Sequence, residues 1–196
     1  MSIHTLRVKV VAAIVLTASV ASLLFMFSLY ERQKELYFTS LDDKLKVAAQ
    51  AGGLFLGNDL VDRYGADHPM DQAAHYKLVQ KLSGYAQANG LEYIYLMVKE
   101  GDKIYTLLSS ATPDELKTGD YDPFYTEYDA SEGIRSGFQE GHAFYEDTSD
   151  KYGTFRSYLQ INRSAGGKLY MIGADIATSQ ITEALSVLFW QTAVMF

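Results

Sequence analysis

The chain has 196 residues, with 17 Lys plus Arg against 24 Asp plus Glu, a net charge of −7 and no Cys. That length holds one ordinary domain with a little to spare, and 48 % apolar residues are too many for a disordered chain. The acidic balance argues against a nucleic-acid partner, and the lack of Cys excludes disulfides, thiolate-bound zinc, iron–sulfur clusters and thiol catalysis.

Residues 10–29 carry no charge and read VVAAIVLTASVASLLFMFSL. A helix of that length spans about 30 Å, the thickness of a hydrocarbon core. His4, Arg7 and Lys9 precede the run, so residues 1–9 are expected in the cytoplasm, 10–30 across the membrane, and the chain outside after Tyr30. Ser19-Val20-Ala21 also fits a signal-peptide cleavage site, but cleavage there leaves Leu23 to Leu29 as a greasy N-terminus, and the apolar run exceeds a usual signal core. An uncleaved anchor is therefore expected.

Residues 31–56 read as one long helix, with Leu36, Leu41, Leu45, Ala48, Ala49 and Gly52 at helical steps and no Pro. Asn58 to Pro69 is rich in turn formers. A second helix is expected over 70–89, with Pro69 beside its first turn and Asn89-Gly90 as its stop. Leu91 to Val98 and Ile104 to Ser109 alternate as strands around a Gly-containing polar turn, which makes a hairpin. Residues 111–128 look irregular, with two Pro and the cluster YDPFYTEY, as a lid or binding loop. A short helix follows over 129–140, capped by Asp129 or Ser131 and stopped by Gly141. Strands are expected over 142–146, 154–161 and 168–175, and helix returns from Ile176 with Asp175 as a cap. Residues 184–196 form a second charge-free run, too short to span, expected as the start of a second transmembrane helix; an amphipathic helix packed on the domain is the competing reading.

This order of elements predicts an α+β fold, with a five-stranded antiparallel sheet and a long N-terminal helix, flanked by transmembrane helices. Residues 31–183 hold all 24 acids, which suits a domain on the outer side of the membrane. With helices on one face of the sheet, the other face is free for loops and a small ligand.

The stretches YIYLMVKEGDKIY from Tyr93, DKYGTFRSYLQI from Asp150 and GGKLYMIGADI from Gly166 resemble single Cache (PAS-like) periplasmic sensor domains of bacterial transmembrane receptors. The pattern departs at Ser109-Ser110, where the resemblance implies an Asp, and at Ile161-Asn162, where it implies a Pro. The resemblance implies the extracytoplasmic ligand-binding part of a chemoreceptor-like protein in the inner membrane, with the sensor in the periplasm and a homodimer along the long helix. A sensor for a membrane diguanylate cyclase or histidine kinase is the close alternative. A membrane-anchored interaction module without a ligand is the distant one. Output chemistry is expected beyond Phe196.

Strand alternation sets Phe155, Ser157, Leu159 and Ile161 on one face, expected against the long helix. Arg156, Tyr158 and Gln160 lie on the other, expected toward the ligand. Arg156 is a candidate clamp for a carboxylate. Tyr95, Tyr105 and Tyr170, with Tyr93, are candidate walls, and Tyr125, with Tyr121 and Tyr128, a candidate closure from the loop. Tyr158 and His142 join the candidate ligand-binding set, as does Asp175, which could face an ammonium group. Residues 112–150 hold 11 acids against Lys117 and Arg135, so a cationic ligand competes with the carboxylate. The sequence has no HExxH, GxSxG, P-loop or GxGxxG, and neither catalysis, cofactor nor metal is expected.

Overall fold

The computed structural model describes residues 3–57 and 59–195. Expectations that touch Met1, Ser2, Asn58 or Phe196 lie outside the described residues. The chain divides into two units, Met1–Ser40 with Ile181–Phe196, and Leu41–Gln180.

Helix α1, Ile3–Leu56, is continuous. Its apolar part has a mean hydropathy of 2.5 and no residue buried, and it is long and apolar enough to cross a membrane. In the first unit, α1 meets the end of helix α6, Thr178–Val194. The Tyr30 and Phe189 rings meet edge to face at 5.5 Å, and buried Thr192 donates to Gln33 at 2.8 Å. Among the described residues only one helix meets the length and hydropathy of a span, and it is α1.

The second unit is built on one antiparallel sheet. Strands β1 (Tyr93–Glu100), β2 (Lys103–Ser109), β3 (Thr126–Tyr128), β4 (Phe144–Asp150), β5 (Gly153–Arg163) and β6 (Leu169–Ala177) lie in the order β3-β2-β1-β6-β5-β4. The expected hairpin is β1–β2, and β4–β5 forms another at the sheet's far edge. β1 and β6 are central, with Tyr93 opposite Asp175 and Tyr95 opposite Gly173.

Past the short helix α2, Leu60–Arg63, one face of the sheet carries α1 and helix α3, Gln72–Ala88. Leu41, Leu45, Ala48 and Ala49 of α1 are buried there, as are Val79, Leu82 and Ala86 of α3. A β-carbon at Gly52 would overlap the Ile94 side chain, and one at Gly53 that of Ile172, so this glycine pair lets α1 sit close on the sheet. Asp71 caps α3 by accepting from the amides of Ala73 and Ala74, two residues beyond Pro69.

The other face carries helix α5, Glu132–Glu140, capped by Ser131 and ended by Gly141. Ile134 and Phe138 of α5 pack on Met97, Ile104, Leu159, Ile161 and Met171. The sheet has six strands rather than five, because the stretch expected to be irregular contains two elements. Helix α4, Pro113–Thr118, opens with a capping box in which Thr112 and Glu115 exchange bonds. The three residues of β3 then pair with β2.

Candidate ligand pocket

Beside α5, on the same face, lies a pocket lined by β1, β2, β5 and β6, with α4, β3 and the β4–β5 turn around it. Its walls are aromatic: Tyr93, Tyr95, Tyr121, Tyr128, Tyr152 and Phe155. Water centres can occupy about 40 Å³ of it, room for a few waters by volume. A larger guest needs the walls to move.

Four carboxylates line the pocket, and each receives a tyrosine hydroxyl. Tyr93 donates to Glu115 at 2.8 Å, Tyr95 to Asp175 at 3.1 Å, Tyr128 to Asp150 at 2.9 Å, and Tyr152 to Asp122. Lys, Arg and His are absent from the described lining. Lys151 stands at the rim, 3.8 Å from Asp122 and largely exposed. Burial raises the phenols of Tyr93, Tyr95, Tyr128 and Tyr152, and the adjoining carboxylates raise them further, so all four stay donors.

Asp175 is buried near the C-terminal end of β6. Burial pushes its carboxyl up to about 7, against the lowering effect of hydrogen bonds from Ser157 and Tyr95, and the charge of Asp150 adds to the rise. The expected cap role is corrected: the strand runs on to Ala177, so Asp175 points into the pocket instead of starting α6. Gly173 positions its partner. A β-carbon there would overlap the Tyr95 ring, so only Gly lets that ring lie across the sheet and reach Asp175.

The expected faces of β5 are inverted. Phe155 and Ser157 face the pocket side, while Arg156 and Tyr158 face α1. Alternation defines two sets but not which set meets the helix, and the acid that decides it is Asp42 of α1. The Arg156 guanidinium binds Asp42 twice, at 2.7 and 2.8 Å, and Asp147 once at 3.2 Å. It is therefore no clamp for a ligand in this pocket. Tyr158 is buried beside Tyr145, ring centres 4.9 Å apart, and Tyr145 donates to the Asp42 carbonyl. Tyr170 also faces the helix side, alternating with Met171.

Tyr105 and Tyr125 stack at 4.4 Å outside the lining, with Tyr125 at φ 63°. His142 is exposed before β4 and pairs with Glu140 at 3.3 Å. Of the expected set, Tyr95 and Asp175 line the pocket, as do the wall and loop tyrosines Tyr93, Tyr121 and Tyr128. Sequence reasoning missed Glu115, Asp122, Asp150 and Tyr152 as site residues. The Thr112-x-x-Glu115 capping pattern was the available signal for placing Glu115.

No family model matches the chain, and no curated protein matches it. Among solved structures, the chain is similar to the ligand-binding domain of the Campylobacter jejuni chemoreceptor Tlp3 in complex with L-valine, at 12 % identity, over 84 % of this chain and 60 % of that one, TM-score 0.45. It is also similar to the ligand-binding domain of the Pseudomonas aeruginosa amino acid chemoreceptor PctC in complex with GABA, at 14 % identity, over 77 % and 66 %, TM-score 0.37. A third likeness is to the periplasmic domain of RsbU from Chlamydia trachomatis, at 12 % identity, over 79 % and 58 %, TM-score 0.34. The chain spans about 60 % of the length of the Tlp3 domains.

Proposed function

We propose that residues 31–183 form an extracytoplasmic sensor domain that binds a small organic ammonium ion and passes the binding event to a membrane helix. The observation that carries this reading is the pocket's charge: four carboxylates, aromatic walls and no basic lining residue. Such a cage attracts a cation by charge and by ring faces. It repels the carboxylate that an Arg156 clamp would have held. A ligand bearing both groups would keep its carboxylate toward Lys151 at the rim.

Residues 1–9 are cytoplasmic, 10–30 cross the inner membrane, and 184–196 begin a second crossing. α1 runs unbroken from the apolar stretch to the sheet, which makes it the path of a signal. Val47 and Leu54, seven residues apart on α1 and exposed, suit a homodimer contact along that helix. A ligand that favours one arrangement of α1 over another would shift the receptor's population. The domain is read as a binding module of a chemoreceptor-like protein, without catalysis.

A thermal-shift screen of the detergent-solubilised chain tests the ligand class. It compares primary amines, amino acids, dicarboxylates and divalent cations. A ligand at 100 times its Kd stabilises by about 2.7 kcal/mol. Amines or amino acids should raise the melting temperature and dicarboxylates should not. Stabilisation by dicarboxylates alone would contradict the proposal, and no response from any class would favour an interaction module.

A further inference from the structure

We infer that Asp175 holds a proton while the pocket carries no cation and surrenders it to solvent when an ammonium ion binds, so that ligand and proton compete for one carboxylate. The inference rests on the reading of the pocket as an ammonium site and adds its regulation. It stands first on geometry. A buried carboxylate needs a countercharge or a proton, because burial of an unpaired ion is expensive.

Every element packed around Asp175 withholds the countercharge. β1 offers the hydroxyl of Tyr95, and Tyr93 beside it is committed to Glu115. β5 offers the hydroxyl of Ser157. β3 offers Tyr128, which is committed to Asp150 at the end of β4. The loop before β3 and the β4–β5 turn contribute Asp122 and Tyr152, bonded to each other, and α4 contributes Glu115. Within the lining the charges are thus all negative, and Lys151 stays at the rim beside Asp122. The rise of the carboxyl toward neutrality agrees with this arrangement, with burial as the main cause.

The step balances simply. An ammonium ion enters with its charge, Asp175 loses its proton to solvent, and the pair that remains is carboxylate and ammonium. No electrons move. Below neutrality the ligand must displace a proton, and above it the carboxylate is already free. Affinity should therefore fall as pH drops, toward tenfold per unit well below the carboxyl's pKa.

The test uses the full chain in detergent with two probes, ethylammonium and tetramethylammonium, the second of which cannot titrate. Calorimetry at pH 8 and pH 6 should show about tenfold weaker binding at pH 6. Runs in two buffers of different ionisation heat should show proton release at pH 6. Asp175→Asn should bind weakly with no pH dependence and no release. Infrared spectra without either probe should show a protonated carboxyl band at pH 6 that Asp175→Asn lacks. Affinity unchanged between the two pH values, or absence of that band, overturns the inference while the sensor reading stands. A band present with neither probe nor any amine of the screen binding at either pH overturns the ligand class instead, and the competition with it.

Discussion

A β-carbon at position 173 would take the space now filled by the ring of Tyr95. That ring spans from β1 across β6 and ends in the bond to Asp175. Gly173→Ala should therefore act on the pocket more than on the strand. Overpacking of this kind costs about 1–3 kcal/mol, and the displaced ring takes a donor away from the buried carboxyl. Chemical denaturation should show the loss, and amine affinity should fall with it. Tyr95→Phe keeps the ring and removes only the hydroxyl, so its stability should change less while Asp175 shifts further toward its protonated form. A Gly173→Ala chain that melts and binds like the parent would show that Tyr95 is not held by this close approach. Asp175 and Tyr95 were both legible in sequence as candidates, because aromatic and acidic residues on strands attract such a reading. Their pairing was not, since it depends on a cross-strand register that no local pattern supplies. Glu115, Asp122 and Asp150 were visible only as members of an acid-rich stretch. What singles them out is that tyrosines from three other segments converge on them.

β5 has two duties on its two faces. Phe155 and Ser157 meet the pocket, while Arg156 between them grips α1 through Asp42. The grip is bidentate and its side chains are only 21 % and 25 % exposed, so it is better shielded than a surface ion pair. It ties the strand that walls the pocket to the helix by a hydrogen-bonded ion pair. A double-mutant cycle with Arg156→Met and Asp42→Asn should return a coupling of about 1–3 kcal/mol by denaturation. Each single variant should cost more than the pair removed together, because it leaves one charged or polar partner stranded. Additive single effects would show that the pair does not tie β5 to α1. The long helix, the hairpin, the three later strands and both helix caps of α5 were legible from periodicity and cap chemistry. The side of the sheet each β5 face meets was not, because alternation is symmetric between faces until a partner breaks the tie. α4 escaped notice beneath the irregular aromatic stretch, although Thr112, Pro113 and Glu115 form a helix start. β3, at three residues, is too short for any period to register.

At the scale of the whole molecule, charge and hydropathy sort along the chain. The first stretch of α1 is apolar and uncovered, while every acid lies between residues 30 and 184. A charge-free helix of that kind is stable in hydrocarbon, where all its backbone groups are bonded internally. In the proposed topology, the basic residues before it keep that end in the cytoplasm. Because the chain has no Cys, single cysteines can report its orientation without background. Gln139→Cys, exposed on α5, should react with a membrane-impermeant maleimide in intact spheroplasts. Thr5→Cys should react only after lysis, on a band of unchanged size. Loss of the Thr5→Cys label from that band would mean a cleaved leader and a domain without this anchor. Protection of Gln139→Cys until lysis would place the tyrosine-walled pocket in the cytoplasm, where it could not sample external ions. The pocket's chemistry would survive that result, but its role as an outward-facing sensor would not.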